Sequence, residues 1–364
     1  MNKDYDFISI MKFAGAFVAF MIGSGYATGQ EIMQFFTGYG YYSIGAITIS
    51  LILFSFVGSR IMVDGFDNKS NEKKSLYSYY CGRYLGVFFD WFVVIFLFAV
   101  VVIMISGAGA TIKQYLGLQH FIGAAIMAIL VLVAYLLGLK KLIDMLGAMG
   151  PILILFTLIV GFITIIVNSS GLANIEKAFK AVTIPTASRS WVISGFLYAS
   201  FALFGSVPFF NALGKSSTTR KNALYGGIAG GAILMIATFV MNLGLLSKID
   251  VIHDKQIPTL VLANDISPVV GFIFSIILII AIFSTAAPMF WTVCDKIKFN
   301  KKSANIIFAV IISIAAFLGG LLPFGKLVGT IYPYTGYMGL LVMACITFKF
   351  IQTNVNSRRK SSTV

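Results

Sequence analysis

Helix-breaking residues interrupt the first apolar segment of the chain at Gly23-Ser24-Gly25. We predict that a second half-helix begins beyond this break, at about Tyr26. Its backbone N–H groups, from Ser24 to about Ala27, then lack helical acceptors and lie at the positive end of the helix dipole. Such groups bind anions, and a carboxylate is the natural ligand. Gly23, Ser24, Gly25 and Tyr26 are therefore candidate substrate-binding residues.

A similar group of helix breakers, Gly205-Ser206-Val207-Pro208, interrupts the sixth apolar segment. We predict that a half-helix ends near Phe204, so that the carbonyl oxygens from about Phe201 to Phe204 suit a cation or an ammonium group. Ser206 can cap the next half-helix, and Pro208 fits its first turn. Two adjacent breaks of this kind suit a zwitterion, with Phe201, Phe204, Gly205 and Ser206 as the second half of the site.

The eighth apolar segment carries hydroxyl groups on one helical face. Ala281, Ser284 and Thr285 are spaced i, i+3, i+4, which places them on the same side of a helix. Two hydroxyls and a carbonyl on one face can ligate a hard cation. The alternative is that the two hydroxyls donate to the preceding helical turn or to a neighbouring helix, as is common in membrane helices.

Glu31 is the ionisable residue that stands out at membrane depth, about a turn and a half beyond the first break. A carboxyl group at the bilayer centre costs about 2.5–3.5 kcal/mol on insertion scales, so it is expected to face a cavity or a partner. With Gln30 it is a candidate for an outer gate. The alternative is a structural carboxyl near the interface that bonds to loop groups.

The composition is that of a membrane protein with many spans. Of the 364 residues, 59% are hydrophobic and 11% are charged, and the mean hydropathy is +0.93. Soluble domains have about 25% charged residues, so a soluble enzyme or binding module is excluded. The net charge of +14 is not concentrated on a soluble face, so no nucleic-acid partner is predicted. The partner that the composition predicts is the lipid bilayer.

Ten apolar runs are long enough to span a bilayer. With the N-terminus in the cytoplasm, 20 of the 27 lysines and arginines lie inside, which by the positive-inside rule predicts a cell-membrane protein with both termini cytoplasmic. Cys81, Cys294 and Cys345 then lie on or near the cytoplasmic side and are assigned no chemistry. The runs are 9–37, 40–63, 84–112, 120–138, 142–167, 191–213, 222–246, 270–294, 303–320 and 324–350.

The two halves of the chain, 9–167 and 191–350, each hold five of these spans. A shift of 182 positions superposes Gly23 on Gly205 and Pro151 on Pro333. Because each half has an odd number of spans, the second half must cross the membrane in the opposite direction. Inverted repeats with broken first helices are typical of secondary transporters, although glycine and proline are also common in ordinary membrane helices.

The segment GAFVAFMIGSGYATGQE at 15–31, together with Ser284 and Thr285, resembles the sodium-coupled transporters of the LeuT fold in the amino acid–polyamine–organocation superfamily. Its GSGYATGQE portion is similar to the YkvI-like membrane protein family. The resemblance implies an all-α fold of ten transmembrane helices in a 5+5 inverted repeat, with the first and sixth helices broken. It also implies a sodium site formed by backbone oxygens of Ala19, Ile22 and Ala281 and by the hydroxyls of Ser284 and Thr285.

The sequence departs from the neurotransmitter-type relatives at two places. Tyr26 replaces an asparagine that ligates a second sodium ion, and no tyrosine lies between Trp91 and Thr111 in the third span. Proton-coupled relatives place a lysine inside the fifth span, whereas Lys140 and Lys141 precede it here. The resemblance therefore favours one sodium site and leaves the substrate undefined.

The sequence thus predicts one membrane domain, 1–364, that is not an enzyme and needs no cofactor beyond sodium as the coupling ion. The predicted function is sodium-coupled uptake of a small zwitterionic solute, such as an amino acid, by alternating access. One alternative is a transporter that is proton-coupled or uncoupled and carries another small organic solute. Another is a membrane sensor that binds the solute without transporting it. The oligomeric state stays open. Pro258 is predicted to begin a short surface helix, which is either a lid or a connector.

Overall fold

The computed structural model describes residues 6–68, 75–138 and 149–361, and every regular element in these ranges is a helix. Lys140, Lys141 and the start of the predicted fifth span lie outside the described residues. An all-helical membrane protein was predicted from the apolar runs, and the helical class is confirmed.

The first apolar segment forms three short helices: α1 (Phe7–Met21), α2 (Ser24–Ala27) and α3 (Gln30–Phe35). Asp6 caps α1, because its carboxylate accepts hydrogen bonds from the backbone N–H groups of Ile8 and Ser9. The interruption after α1 lies at Ile22 and Gly23. A second change of direction lies at Gly29, whose φ of 78° belongs to the left-handed region that glycine tolerates.

The remaining helices follow in chain order. The second predicted span begins with a 3₁₀ helix at Thr37–Tyr42 and contains a π-helical turn at Phe54–Gly58. The α-helices are α4 (Ser43–Leu53), α5 (Ser59–Asp67), α6 (Leu76–Leu116), α7 (His120–Leu137), α8 (Met149–Val167), α9 (Ser169–Ala173), α10 (Ile175–Ala181), α11 (Trp191–Lys215), α12 (Arg220–Leu246), α13 (Ile249–Ile252), α14 (Pro258–Ile266), α15 (Pro268–Lys296), α16 (Lys302–Gly320) and α17 (Phe324–Ser361).

The prediction that the sixth span is broken at Gly205–Pro208 is wrong for this structure, because α11 runs from Trp191 to Lys215 as one helix. Pro208 lacks an N–H group, so the carbonyl four residues earlier, that of Phe204, loses its helical donor. The Tyr77 hydroxyl donates to this carbonyl oxygen at 2.7 Å and replaces the missing bond. Ser206 donates to the carbonyl oxygen of Ala202 within the helix, so it does not cap a half-helix.

Within the described residues, eight segments are long and apolar enough to cross a membrane. They coincide with eight of the ten predicted spans. The other two predicted spans coincide with shorter apolar helices, Phe7–Met21 and Ile152–Val167. Gly82, with a φ of 77°, kinks α6 near its start, and the apolar run predicted from the sequence begins just beyond this kink, at residue 84.

The helices pack in a pattern that surrounds the end of α1. α1 packs along α12, α11 packs along α4, α5 and α17, and α6 packs along α15. We call the side on which α1 begins the near side, and the opposite side the far side. On the near side, Arg220 pairs with Asp67 at 3.1 Å. On the far side, Lys248 pairs with Asp265 at 2.9 Å.

Glycines allow α5 and α11 to approach closely. A Cβ atom at Gly214 would collide with the backbone carbonyl oxygen of Met62, and one at Gly65 would collide with that of Asn211. Close backbone packing at small residues is a main source of helix association in lipid. By contrast, a Cβ atom at Gly15 would meet nothing within 4 Å.

We therefore expect Gly214→Ala to lower the thermal unfolding midpoint of the detergent-purified protein, because overpacking against backbone costs about 1–3 kcal/mol. Gly15→Ala is the matched control and should leave the midpoint unchanged or raise it, since alanine is the better helix former. Equal midpoints for the two variants would contradict the proposed close contact between α5 and α11.

Candidate functional site

A cavity of about 460 Å³ lies where α1 ends, between α1, α6, α11, α15 and α17. Ten of the fifteen candidate site residues predicted from the sequence line it. These are Ala19, Ile22, Gly23, Gly25, Glu31, Phe201, Gly205, Ser206, Ser284 and Thr285. The structure therefore brings most of the predicted substrate and sodium residues to one place.

Four of the other candidate residues, Tyr26, Phe204, Ala281 and Gln30, are not part of the described lining. Ser24 is the first residue of α2. Tyr26 is 1% exposed and lies in the core, where Thr238 contacts its hydroxyl at 3.4 Å. Ala281 is fully buried behind the lining. Phe204 is 1% exposed and packs among other aromatic rings. Gln30 faces α17 rather than the cavity, with its side chain close to Gly325.

The predicted sodium ligands lie at the junction of α1 and α15. The Ser284 and Thr285 hydroxyls both donate to the carbonyl oxygen of Ala281, at 2.8 and 3.0 Å. This is the back-bonded arrangement that the sequence left open as an alternative. A hydroxyl that donates a proton in this way keeps oxygen lone pairs for a cation. Their position beside the break is shown by Gly23, where a Cβ atom would lie 3.9 Å from Thr285 Oγ1.

The end of α1 leaves a backbone oxygen without its usual donor. Gly23 N–H donates to the Met21 carbonyl oxygen at 3.0 Å, although in a continuous helix it would donate to Ala19. Ala19 and Ile22 both line the cavity. Unwound backbone at membrane depth is tolerated where it lines a cavity or is buried in protein, and this end of α1 meets that condition.

Glu31 reaches the cavity from α3. Its side chain is 7% exposed and folds back over the break, so that a Cβ atom at Gly25 would collide with the Glu31 carboxylate. Among the described residues, none forms an ion pair with this carboxylate. Glu31 and Gln30 were predicted to act together as a gate, but the structure directs Glu31 to the cavity and Gln30 to the far side.

Three aromatic residues pack together and form one wall of the cavity. Tyr332 and Phe201 stack with centroids 4.5 Å apart, and Tyr198 meets Phe201 edge-on at 5.5 Å. Neither Tyr198 nor Tyr332 was predicted from the sequence. A signal existed in the position of Tyr332 next to Pro333, which the internal repeat had already marked, and in the polar hydroxyl of each residue within an apolar run.

The far side of the break is covered by α14. Pro258 begins this helix as predicted. Thr259 donates through its hydroxyl to the Ala27 carbonyl oxygen at 2.6 Å, and through its N–H to that of Thr28 at 3.2 Å. Gly29 allows this contact, because a Cβ atom there would lie 2.7 Å from Thr259 Cγ2.

Side-chain amides fix the segment before α14 to neighbouring helices. Gln114 forms two hydrogen bonds with the backbone of Ile257, at 2.8 and 3.0 Å. Gln256 accepts from Gly325 N–H at 2.8 Å, and Gln34 donates to the Gly325 carbonyl oxygen at 2.8 Å.

The cavity lining, by contrast, continues on the near side to the exposed Thr292 of α15. The cavity is thus closed on the far side.

A transition-metal site of the usual kind is not found in the ranges that the structure describes, where no three His, Cys, Asp or Glu side chains come together. Cys81, Cys294 and Cys345 are free cysteines. The oxygens at the junction of α1 and α15 are hydroxyls and carbonyls, which are hard ligands.

Comparison with known proteins gives relatives over almost the whole chain, although no family model matches. The membrane protein YkvI of Bacillus subtilis is 26% identical over 348 residues, which cover 94% of this chain and 96% of YkvI. The protein YyaD of the same organism is 22% identical over 347 residues, covering 92% of this chain and 95% of YyaD.

Solved structures show the same fold at low sequence identity. An inward-facing conformation of Mhp1 matches 94% of this chain and 76% of its own, with a TM-score of 0.55 and 12% identity. A variant of the Eremococcus coleocola manganese transporter matches 97% of this chain and 72% of its own, with a TM-score of 0.50 and 13% identity. The predicted likeness to YkvI-like membrane proteins and to the LeuT-type fold is confirmed.

Proposed function

We propose that this YkvI-like membrane protein of LeuT-type fold is a secondary active transporter. It couples inward sodium movement to uptake of a small zwitterionic solute, such as an amino acid, by alternating access. The observation that carries the proposal is the central cavity at the end of α1, which α14 closes on the far side. A solute site at an interrupted helix, closed on one side at a time, is the arrangement that alternating access requires.

Ten spans in two inverted repeats account for the helix packing. Under this proposal α1 to α3 form the first span, α8 the fifth and α11 the sixth. The repeat relates the first span to the sixth and the second span to the seventh. It therefore relates the contact of the first span with the seventh, α1 with α12, to the contact of the sixth span with the second, α11 with α4 and α5. Both pairs are packed together. The pair α6 and α15, the third and eighth spans, maps onto itself.

The orientation in the cell membrane follows from the charge distribution. We propose that the near side is cytoplasmic, because only seven of the 27 lysines and arginines lie on the far side in the ten-span arrangement. The structure then corresponds to a state that is closed towards the outside. The seven are Lys113, Lys177, Lys180, Arg189, Lys248, Lys255 and Lys326.

The proposed sodium ion bridges α1 and α15 through Ala19, Ile22, Ala281, Ser284 and Thr285. Because the ligands belong to two helices, bound sodium favours the state in which those helices are closest. By linkage, sodium then raises solute affinity by the same factor as the solute raises sodium affinity. Proton coupling is the second candidate, and the buried Glu31 carboxylate is the observation that favours it.

Alternating access predicts opposite changes in cysteine reactivity at the two ends of the cavity. Cysteines are introduced singly at Thr292, on the near side, and at Thr259, in the first turn of α14, after the three native cysteines are replaced by serine. Replacing potassium chloride by sodium chloride should slow labelling of Thr292→Cys by a membrane-impermeant thiol reagent and speed labelling of Thr259→Cys. Sodium has this effect because it favours the outward-facing state.

Lys301→Cys is the matched control for labelling, since Lys301 is exposed and lies outside the cavity lining. Its rate should not depend on the salt. Equal rates in both salts at Thr292 and Thr259, in variants that remain folded, would contradict alternating access driven by sodium.

The sodium site itself is tested by the double substitution Ser284→Ala and Thr285→Ala. Removing two of five oxygen ligands should raise the sodium concentration needed for half-maximal thermal stabilisation about ten-fold or more. Ser275→Ala is the control, because Ser275 forms a similar hydrogen bond to Phe272 on the same helix, at 2.7 Å, away from the cavity lining. An unchanged sodium titration in the double variant would exclude this site.

A further inference from the structure

Glu31 is buried, borders the cavity and has no described group that neutralises it. Its side chain is 7% exposed, and among the described residues none donates a hydrogen bond to its carboxylate or pairs with it. Burying an ionised carboxylate without a partner costs several kcal/mol. A cation that enters the cavity therefore stabilises the ionised Glu31 carboxylate.

The described cavity lining offers no positive side chain for that purpose. It contains no lysine, arginine or histidine, and Glu31 is its one acidic residue. The remaining lining is mostly apolar or aromatic. The charge that balances an ionised Glu31 therefore comes from outside the protein, as a proton or as a cationic ligand.

The surroundings of Glu31 suit an organic ammonium group better than a metal ion. A hard metal cation is held by several oxygen ligands at once, whereas the Glu31 carboxylate supplies only two and is packed against Gly25. The lining instead contains the aromatic wall of Tyr198, Phe201 and Tyr332, each of which is at most 6% exposed. Aromatic faces attract ammonium groups, and more strongly when water is excluded.

Glu31 also changes which end of a zwitterion the break can bind. The anion site predicted at Gly23 to Ala27 lies beside this carboxylate, because the Glu31 side chain occupies the space over Gly25. Two carboxylates at this place would repel each other. The solute's carboxylate must then lie farther from the break than its amino group.

We propose that Glu31 binds the ammonium group of the solute, so that the cavity selects small primary amines, amino acids among them, and does not need a carboxylate. This inference rests on the proposed function for its site and names the substrate class. It assigns Glu31 a binding role that is separate from the proposed sodium ligands on α1 and α15.

The test compares ligands that share one apolar body. The two sets are leucine, isopentylamine and 4-methylpentanoate, and phenylalanine, phenethylamine and 3-phenylpropionate. The full chain is purified in detergent with sodium chloride, and each compound is titrated while the thermal unfolding midpoint is measured. In at least one set the amino acid and the amine should raise the midpoint, and the acid should not, because a ligand that binds the folded state stabilises it.

Three variants connect this selectivity to Glu31. Glu31→Gln removes the charge with little change in shape and should weaken amine binding about ten-fold or more, since charge-assisted hydrogen bonds are lost. Glu31→Asp keeps the charge on a shorter side chain and should retain part of the amine binding. Glu176→Gln makes the same chemical change at an exposed carboxylate on α10, and amine binding should equal that of the wild type.

The inference is overturned if the acids stabilise the wild type as well as the amines do, or if no amine or amino acid stabilises it. Wild-type amine binding by a folded Glu31→Gln variant also overturns it. If Glu31→Gln does not fold, wild-type amine affinity in Glu31→Asp also overturns the inference, because the shorter side chain moves the carboxylate away from the bound amine. The binding assay does not depend on transport. If amines bind through Glu31 but no solute accumulates in vesicles, the proposed transport is rejected and the binding role of Glu31 is retained.

Discussion

The architecture depends on one constraint, which is the cost of an interrupted backbone inside an apolar bundle. Hydrocarbon offers no hydrogen bonds, so the peptide groups freed at Ile22 and Gly23 must find partners in the protein or border a cavity. The structure does both. Gly23 N–H turns back to Met21, and the remaining end of α1 borders a cavity of about 460 Å³. The interrupted backbone is thus tolerated because it borders the cavity.

The far-side closure follows from the same interruption. Since α2 is only four residues long, the carbonyl oxygens of Ala27 and Thr28 need donors beyond their own helix. Thr259 supplies both donors from the first turn of α14. If α14 moved away, these carbonyls would be exposed to water, which can replace the lost bonds on the membrane surface. A closure held by such bonds can open without leaving buried polar groups unsatisfied.

The same physics explains which features the sequence could predict. The interruption at Gly23 was predictable, because two glycines within an apolar run weaken a helix locally. The continuity of α11 at Pro208 was not predictable, since it depends on Tyr77, 131 positions earlier. The Tyr77 hydroxyl replaces the hydrogen bond that Pro208 cannot form, and α11 stays continuous. Glu31 was found from its charge, but its direction was not predictable. The left-handed turn at Gly29 folds α3 back so that residue 31 faces the cavity and residue 30 does not.

The central claim is that the cavity moves a solute across the membrane against its gradient at the expense of a sodium gradient. The most direct measurement is uptake of a radiolabelled amino acid panel by proteoliposomes, with sodium outside and potassium inside. The account predicts that at least one amino acid accumulates above the outside concentration, and that a sodium ionophore abolishes the accumulation. An amino acid that binds to the purified protein but never accumulates, with or without the gradient, would contradict the account and indicate a sensor.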